Sequence, residues 1–319
     1  MEQLVTVCIA TYNRENFLPK AIASVLQQSY SHLELIIVDD CSADHTEKVV
    51  SNFLSSDPRI KYIRHAENKG LAAARNTAIK AAAGKYFTFI DDDDTWNDYF
   101  IEEFVNLAEN YDDNWCFCCG NKRYGRLGKI NNRYSVFEGK LIDYCKQGYA
   151  PPVAAQFYYL DSLKKVGGYN ENIKTGVDHD LWLSLAFSGV HIKSLNKCLA
   201  FINAGGDTQR KRMTNQYEKR LSGIQKSLRI WKDNIVQSLG EEFYHKFCRA
   251  YLLRERKEFL KSFIMDFNFK GAFQVYKDIK KSVSMKELLK TFLVAMLYQG
   301  GIRVKKEITS VRTPDLQII

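Results

Sequence analysis

The chain has 319 residues, of which 45% are hydrophobic and 26% are charged, and its formal net charge is +9. These values fit a folded soluble protein and exclude an intrinsically disordered chain. The length allows one large domain or two modest ones. The amino terminus, MEQLVTV, has no basic segment followed by an apolar one, so we expect no signal peptide and a cytoplasmic location.

Strands and helices alternate along the first 90 residues. The predicted elements, in chain order, are a strand at Leu4–Ala10, a helix at Leu18–Leu26, a strand at Leu33–Val38, a helix at about Thr46–Leu54, a strand at Ile60–Arg64, an Ala-rich helix at Gly70–Ala83 and a strand at Tyr86–Ile90. This order predicts an α/β fold with a mostly parallel central sheet and helices on both faces. Ligands of such sheets bind beyond the carboxyl ends of the strands. Tyr12, Asp39–Asp40 and Asp91–Asp94 fall there, and no glycine loop of a dinucleotide-binding or P-loop enzyme is present.

Four carboxylates, Asp91, Asp92, Asp93 and Asp94, directly follow the last of these strands. Alternate residues of an extended chain lie about 6.6 Å apart on one side. At an effective dielectric constant of about 20, two such charges repel by about 2.5 kcal/mol. Mg²⁺ or Mn²⁺ would remove this cost, with phosphate oxygens completing its coordination shell. The alternative is a solvated acidic turn that binds no ligand.

Eight cysteines occur without the spacing of a disulfide framework. Cys116, Cys118 and Cys119 lie close together, but no second Cys/His pair follows at a zinc-finger distance. We therefore expect buried free thiols on a strand and a reducing compartment.

The positive charge is concentrated in the last third of the chain. Residues 210–319 carry 24 Lys and Arg against 11 Asp and Glu, whereas the preceding residues have a small acidic excess. We expect a catalytic domain at 1–209 and a basic helical region at 210–319. Such a region predicts a polyanionic partner, and nucleic acid is disfavoured because no recognition motif accompanies the charge.

Two apolar patterns lie within this basic region. Six apolar residues share one face of a predicted helix: Leu252, Leu253, Phe259, Leu260, Phe263 and Ile264. The stretch Thr291–Ile302 is uncharged but, at twelve residues, is too short to span a membrane. It either lies on a membrane surface or packs against the catalytic domain.

Several segments resemble successive motifs of the family 2 glycosyltransferases, which have the GT-A fold. They are VTVCIATYNRENFLPKAIASVLQQSY, LELIIVDDCSADHT, NKGLAAARNTAI and GKYFTFIDDDDTW, in the order and spacing of the family. VGGYNENIKTGVDHDLWLSLAFSG resembles the later segment that supplies the family's catalytic base. The resemblance covers about residues 4–205 and is to the type that builds bacterial surface polysaccharides.

The resemblance implies a nucleotide-sugar site at the ends of the first two strands. Ala10 and Tyr12 would contact the nucleotide, with Tyr12 stacked on a pyrimidine, and Asp40 or Asp39 would accept the ring N–H of the base. The alternative is that both aspartates cap a helix. Arg75 would steady the aspartates or the nucleotide, unless it is an ordinary surface arginine.

The resemblance also implies a metal site in the acidic run. Asp91 and Asp93 match the Asp-x-Asp motif, Asp91 and Asp92 would grip the ribose, and Asp94 is an additional metal ligand. In the family this motif binds Mn²⁺ or Mg²⁺, which neutralises the departing nucleoside diphosphate. Because four aspartates are consecutive, the register stays open by one residue.

The segment GVDHDLWL aligns its first aspartate, Asp178, with the family's general base. The family commonly has glutamate where this chain has Val177, and often arginine where it has Ser184. Asp180 is the second candidate, although it would serve equally as a helix cap. His179 between them is a further titratable group.

The reaction that the resemblance implies is an inverting transfer of a hexose from a UDP-sugar, with glucose or galactose favoured. The acceptor would be a lipid-diphosphate-linked saccharide of O-antigen or capsule synthesis, at the inner face of the cell membrane. Gly148–Leu160, rich in aromatic residues, either contacts the acceptor or is a packed strand. The alternatives are a Mg²⁺-dependent nucleotidyl- or phosphotransferase and a non-catalytic protein that binds metal and anions.

Overall fold

The computed structural model describes residues 2–124, 130–133, 136–146, 155–203, 217–265 and 269–280. Its strands, in chain order, are β1 (Val5–Thr11), β2 (Leu33–Asp39), β3 (Ile60–Arg64), β4 (Tyr86–Asp91), β5 (Thr95–Trp96), β6 (Trp115–Tyr124), β7 (Ile130–Arg133), β8 (Glu138–Lys140), β9 (Gln156–Tyr159) and β10 (His191–Asn203). Its helices are α1 (Leu18–Leu26), α2 (Thr46–Leu54), α3 (Leu71–Ala81), α4 (Phe100–Ala108), α5 (Leu141–Lys146), α6 (Leu160–Lys165), α7 (Val177–Phe187), α8 (Tyr217–Ile230), α9 (Lys232–Leu239), α10 (Glu241–Met265) and α11 (Phe269–Ile279). The bounds predicted for α1, α2 and β3 are confirmed.

One mixed sheet organises the first part of the chain. Its parallel half has the strand order β3-β2-β1-β4. Strand β9 then pairs antiparallel with both β4 and β6, β10 runs parallel to β6, and β5 closes the order. The predicted α/β fold is confirmed, and the sheet becomes mixed beyond β4 because β9 enters it in the opposite direction.

Helices cover both faces of this sheet, as predicted. Alternate residues of a strand point to opposite faces. Val7 and Ile9 of β1 therefore join one apolar cluster with α1 and α4, and Cys8 joins the other with Ile36 of β2, α3 and α7. Because both faces are covered, every residue of β2 is buried.

A polar cluster joins the amino ends of the parallel strands to the segment after α3. The Glu34 carboxylate accepts hydrogen bonds from Thr6 Oγ1 (2.6 Å), Lys61 Nζ (2.6 Å) and the backbone N–H of Ala83 (2.7 Å). Gly84 lies so close that a Cβ atom there would be 2.7 Å from the backbone nitrogen of Thr6. Glycine at this position therefore permits the close approach of α3's exit to β1.

The cysteines are free thiols. Cys116, Cys118 and Cys119 are buried on β6, which confirms the prediction made for them. Burial raises the pKa of Cys118 to about 11 and that of Cys8 on β1 to about 12.

The chain divides into two compact units, Met1–Asp207 and Thr208–Ile319. The described part of the second unit is helical, from α8 to α11. Its apolar cluster consists of Tyr217, Leu221, Phe259, Leu260, Ala272, Val275 and Ile279, with Leu252 and Leu253 packed against it. Four of the six residues predicted to share a helix face thus form part of a core; the side chains of Phe263 and Ile264 lie outside the described residues.

Among the helices described, none is long and apolar enough to cross a membrane. The stretch Thr291–Ile302 lies outside the described residues, so its surface or packing role stays a prediction.

The Glu34 cluster predicts a pH-dependent contribution to stability. Burial alone would raise the pKa of Glu34, but the bonds from Lys61, Thr6 and Ala83 outweigh it and hold the pKa below its ordinary value. A carboxyl with a lowered folded-state pKa stabilises the fold above its unfolded-state pKa, and this contribution is lost as the pH falls through the folded-state pKa.

Glu34→Gln should therefore lower the free energy of unfolding at pH 7 by about 1–2 kcal/mol. The difference from the wild type should shrink below about pH 4. Urea unfolding at several pH values measures it, with the exposed Glu67→Gln as the control. An equal loss at pH 7 and at pH 3.5 would show that the charge of Glu34 contributes nothing.

Candidate active site

The carboxyl ends of β1, β2 and β4 lie side by side at one edge of the sheet. Ala10 of β1 pairs with Val38 of β2 on one side and with Asp91 of β4 on the other. Because these strands are parallel, the residues that follow them emerge at the same edge. The polar residues that the sequence placed on one rim are therefore neighbours in the structure: Tyr12, Asp39, Asp40, Asp91, Asp92, Asp93 and Asp94.

The acidic run forms the turn between β4 and β5. Thr11 Oγ1 donates a hydrogen bond of 2.8 Å to Asp92 Oδ2. Arg14 Nε lies 3.7 Å from Asp92 Oδ1, and Arg14 Nη1 lies 4.0 Å from Asp93 Oδ2. Thr11, the last residue of β1, thus supplies a hydroxyl to the turn, and Arg14, in the segment after β1, supplies a guanidinium.

The carboxylates of this turn are crowded. Burial raises the pKa of Asp91 to about 6 against the opposing effect of Arg75, and the charges of Asp93 and Asp178 add to the rise. Burial raises the pKa of Asp92 to about 7, with Asp93 contributing and Arg14 opposing. Keeping these carboxylates ionised therefore costs free energy, and a bound cation would offset that cost.

Asp94 has a contact that the sequence did not predict. It is 4% exposed, and its Oδ1 accepts a 2.9 Å hydrogen bond from the backbone N–H of Asn203 at the end of β10. Its own N–H bonds the carbonyl of Asp91 at 3.0 Å. These contacts tie the turn to β10, so they do not favour Asp94 as a metal ligand, and that role stays a prediction.

Arg75 lies at the centre of the site. Its Nη2 donates to Asp91 Oδ1 at 2.9 Å, and its Nη1 donates to Asp178 Oδ1 at 2.5 Å. The side chain is 2% exposed, and the guanidinium lies 4.0 Å from the ring centroid of Phe89 and 5.2 Å from that of Tyr169. The alternative of an ordinary surface arginine is therefore wrong.

Helix α7 carries both candidate bases in its first turn. The N-cap residue is Gly176, so the interpretation of Asp180 as the helix cap is wrong. Asp180 and His179 are buried, at 4% and 6% exposure, whereas the side chain of Asp178 is 16% exposed. Asp178 is the more accessible of the three groups, and it is joined through Arg75 to the acidic turn.

Asp39 is fully buried at the end of β2. Its Oδ1 accepts from the backbone N–H of Ser42 at 2.8 Å, and its Oδ2 accepts from the Tyr62 hydroxyl at 2.7 Å. The N-cap residue of α2 is His45, so Asp39 is not a helix cap.

Asp40 holds the segment that leads into α3. Its carboxylate accepts from the backbone N–H groups of Lys69 (2.8 Å) and Gly70 (2.7 Å), and it lies 2.8 Å from His65 Nδ1. The N-cap residue of α3 is Gly70, so the capping alternative is wrong for Asp40 as well. Both aspartates are engaged by protein donors, and their part in recognising a base stays a prediction.

Tyr12, by contrast, is 46% exposed directly after β1. Its ring is accessible to a planar ligand, as a stacking role requires. Ala10 lies near the end of β1, paired with both β2 and β4, and its methyl side chain has no functional group.

The donor set of the acidic turn fits a hard divalent cation, because it consists of carboxylate oxygens. Within the described ranges, three or more His, Cys, Asp or Glu side chains do not surround a common position for an ion. Mg²⁺ and Mn²⁺ are commonly held by one or two carboxylates together with substrate phosphates. Asp91 and Asp93 fit that arrangement, and the pKa values of Asp91 and Asp92, raised first by burial and further by the charge of Asp93, show that negative charge is costly in this turn.

Sequence reasoning missed three residues of the site: Thr11, Arg14 and Tyr169. For Arg14 a signal exists, since TYNREN places an arginine just beyond the end of β1. Tyr169 precedes Asp178 by nine residues in a turn-rich segment, and only the fold shows that its hydroxyl lies 3.4 Å from Arg75 Nη1.

Comparison with known proteins gives a consistent family. Residues 6–158 match the model of glycosyl transferase family 2. TuaG of Bacillus subtilis, a candidate teichuronic acid biosynthesis glycosyltransferase, is 30% identical over 197 residues, which are 62% of this chain and 77% of TuaG. WfgD of Escherichia coli, a UDP-Glc:α-D-GlcNAc-diphosphoundecaprenol β-1,3-glucosyltransferase, is 34% identical over 151 residues, or 46% of this chain. The matched segments span 58% of WfgD and 36% of a glycosyltransferase of Rickettsia felis, so the chain covers only part of the length of these relatives.

Solved structures show the same fold. Residues 1–349 of Staphylococcus aureus TarS in complex with UDP-GlcNAc superpose with a TM-score of 0.63 at 16% identity, over 93% of this chain and 92% of that one. The mannosyltransferase PcManGT of Pyrobaculum calidifontis, in complex with GDP-Man and Mn²⁺, gives a TM-score of 0.59 at 16% identity, over 93% of this chain and 82% of that one. The fold resembles that of nucleotide-sugar transferases, as the motifs predicted. The chain therefore belongs to glycosyltransferase family 2.

Proposed function

We propose that the protein transfers a hexose from a UDP-sugar to an acceptor saccharide on a lipid diphosphate, in the synthesis of a bacterial surface polysaccharide such as O-antigen or capsule. Family membership supports the reaction type, and the names of WfgD and TuaG support the substrate class and the setting. Glucose or galactose is the favoured sugar. The observation that carries the proposal is the bridge by which Arg75 joins Asp178 to Asp91.

In the proposed reaction Asp178 is the general base. Its carboxylate takes the proton from an acceptor hydroxyl as that oxygen attacks the anomeric carbon of the donor. The bond from the anomeric carbon to the diphosphate oxygen breaks, and UDP leaves with that electron pair. Attack opposite the leaving group inverts the anomeric configuration.

A divalent cation is part of the proposal. Asp91 and Asp93 would hold Mn²⁺ or Mg²⁺, which supplies neutralisation of the charge that develops on the leaving diphosphate. Arg14 holds Asp92 and lies near Asp93, which keeps the turn in place. Tyr12 would stack on the uracil, Asp39 and Asp40 would shape or contact the base site, and Asp92 would face the ribose.

The setting at the membrane rests on the charge of the last third of the chain. A basic helical region at 210–319 would attract anionic phospholipids and bring the enzyme to a lipid-linked acceptor at the inner membrane face. Family membership favours this transferase over a nucleotidyl- or phosphotransferase and over a metal-binding protein without catalysis.

The first test separates the candidate bases. Asp178→Asn keeps the size of the side chain but cannot accept a proton, so transfer should fall about 10²–10⁴-fold while UDP-sugar binding persists. Asp180→Asn should cost far less per folded molecule, because the structure joins Asp178, and not Asp180, to Asp91 through Arg75. Initial rates and donor titrations measure both. A dead Asp180 variant beside a nearly normal Asp178 variant would contradict the assignment.

The second test concerns the metal. Chelation with EDTA should abolish transfer and Mn²⁺ or Mg²⁺ should restore it. Asp93→Ala should lower turnover by at least about 10²-fold, because the leaving group's charge would be poorly neutralised, and it should weaken Mn²⁺ binding in a calorimetric titration. Full turnover in excess chelator would remove the metal from the proposal.

The third test concerns the bridge. Arg75→Lys replaces a planar fork by a single ammonium, which cannot hold Asp91 and Asp178 in the same geometry. We expect turnover to fall by about 10²-fold, since small misplacements of reacting groups have effects of that size. Arg59→Lys is the matched control: Arg59 also pairs with a carboxylate, Asp57 at 2.7 Å, but directly precedes β3 at the opposite edge of the sheet. Equal turnover of the two variants would show that the bridge is dispensable.

A further inference from the structure

Asn76, the residue after Arg75 on α3, contacts the segment that leads to α7. Its Oδ1 accepts a 2.8 Å hydrogen bond from the backbone N–H of Tyr169. Its Nδ2 donates to the carbonyl of Tyr169 and to Glu171 Oε1, both at 2.8 Å. One buried amide thus satisfies both backbone groups of Tyr169, as a neighbouring strand would do.

The residue before Tyr169 is adapted to this contact. Gly168 has φ of +72°, and a Cβ atom there would lie 2.5 Å from Asn76 Oδ1. Gly167 has a similar φ of +79°, but a Cβ atom there would meet nothing within 4 Å. The two glycines therefore share a backbone conformation that favours glycine, and only Gly168 is also required by the proximity of Asn76.

Tyr169 connects this contact to the proposed site. Its hydroxyl accepts a hydrogen bond from Arg75 Nη1 at 3.4 Å, and its ring packs edge-on against Phe89 at 6.2 Å between centroids. The same Nη1 donates to Asp178. A displacement of the Tyr169 backbone would therefore change the surroundings of the guanidinium that holds Asp178.

We propose that Asn76 is a positioning residue: with Gly168 it fixes the backbone of Tyr169, which holds Arg75 in the orientation that places Asp178 beside Asp91. The inference rests on the proposed role of Asp178 as the base. The hydrogen bonds of Asn76 go to Tyr169 and Glu171 and not to Asp178 or Asp91, so it acts through Tyr169 and Arg75.

The test compares variants that disturb the contact between Asn76 and Tyr169 with controls that leave it in place. Asn76→Ala removes all three hydrogen bonds, Gly168→Ala adds a methyl group against Asn76 Oδ1, and Gly167→Ala imposes the same backbone strain without that contact. Thr6→Ala is a control for loss of a buried side chain that bonds a backbone N–H at the other end of α3, that of Gly84 at 3.0 Å. Turnover is expressed per UDP-binding site, so that unfolded protein does not count.

We expect Asn76→Ala and Gly168→Ala to lower kcat by about tenfold or more, with the affinity for UDP-sugar nearly unchanged. Gly167→Ala and Thr6→Ala should keep kcat within about twofold, because a Cβ atom at Gly167 would meet nothing within 4 Å and the Thr6 hydroxyl bonds Glu34 and Gly84 instead. The double variant Asn76→Ala/Gly168→Ala should be no worse than Asn76→Ala, since the added methyl then meets no amide. Hydrogen exchange of the Tyr169 amide should accelerate in Asn76→Ala.

Two results would overturn the inference: normal kcat per binding site in Asn76→Ala, or equal losses in Gly168→Ala and Gly167→Ala. If Asn76→Ala does not fold, the comparison of Gly168→Ala with Gly167→Ala decides whether the inference holds. Asp178→Asn is measured in parallel. Full activity of Asp178→Asn would refute the proposed base, and hydrogen exchange of the Tyr169 amide would then decide whether Asn76 fixes the Tyr169 backbone. An inactive Asp178 variant beside a normal Asn76 variant would refute only the positioning role.

Discussion

A guanidinium buried between two carboxylates constrains the whole site. Burial works against the charged form of Arg75, but Asp178 and Asp91 more than offset it, so its pKa is raised. A buried cation without such partners would be costly, because desolvation of an ion is only repaid by close and well-oriented opposite charges. Since Asp91 ends β4 and Asp178 lies in the first turn of α7, satisfying Arg75 requires that α3, β4 and α7 meet at one point. The site is therefore complete only where these three elements pack together.

Much of the parallel half of the fold could be predicted from the sequence. Strands β1, β2 and β4 are largely apolar and buried because both faces of the sheet are covered, and α1 and α2 begin and end at the predicted residues. Strand β9 is different. Its QFYY is short and aromatic, and nothing in four residues tells whether they contact a substrate or pair with β4 and β6. That choice depends on strands that lie far away in the sequence.

The site could be predicted in part for a similar reason. Parallel strands bring their carboxyl ends together, so the rim followed from the alternation of strands and helices. The pairing of Arg75 with an aspartate of the acidic run was anticipated, but its pairing with Asp178 was not, since Asp178 is 103 residues away and pairing at that distance leaves no local pattern. Asp180 illustrates the opposite error: an aspartate near the start of a helix resembles a cap, but Gly176 already occupies that position. The preference of aspartate for helix N-caps is a local rule, whereas the residue at which α7 begins decides which residue is the cap.

The strands at the two ends of the main strand order, β3 and β5, differ in a way that bears on self-association. An exposed outer strand has free backbone groups that can pair with another molecule and nucleate aggregates. On β3, the exposed Lys61 pairs with Glu34 and the exposed Arg64 pairs with Glu47. Charged side chains therefore lie along the edge to which a second sheet would have to bind. Strand β5 has only two residues, too few to template pairing. Charge on β3 and the brevity of β5 thus both disfavour edge-to-edge pairing of a second molecule at these two strands.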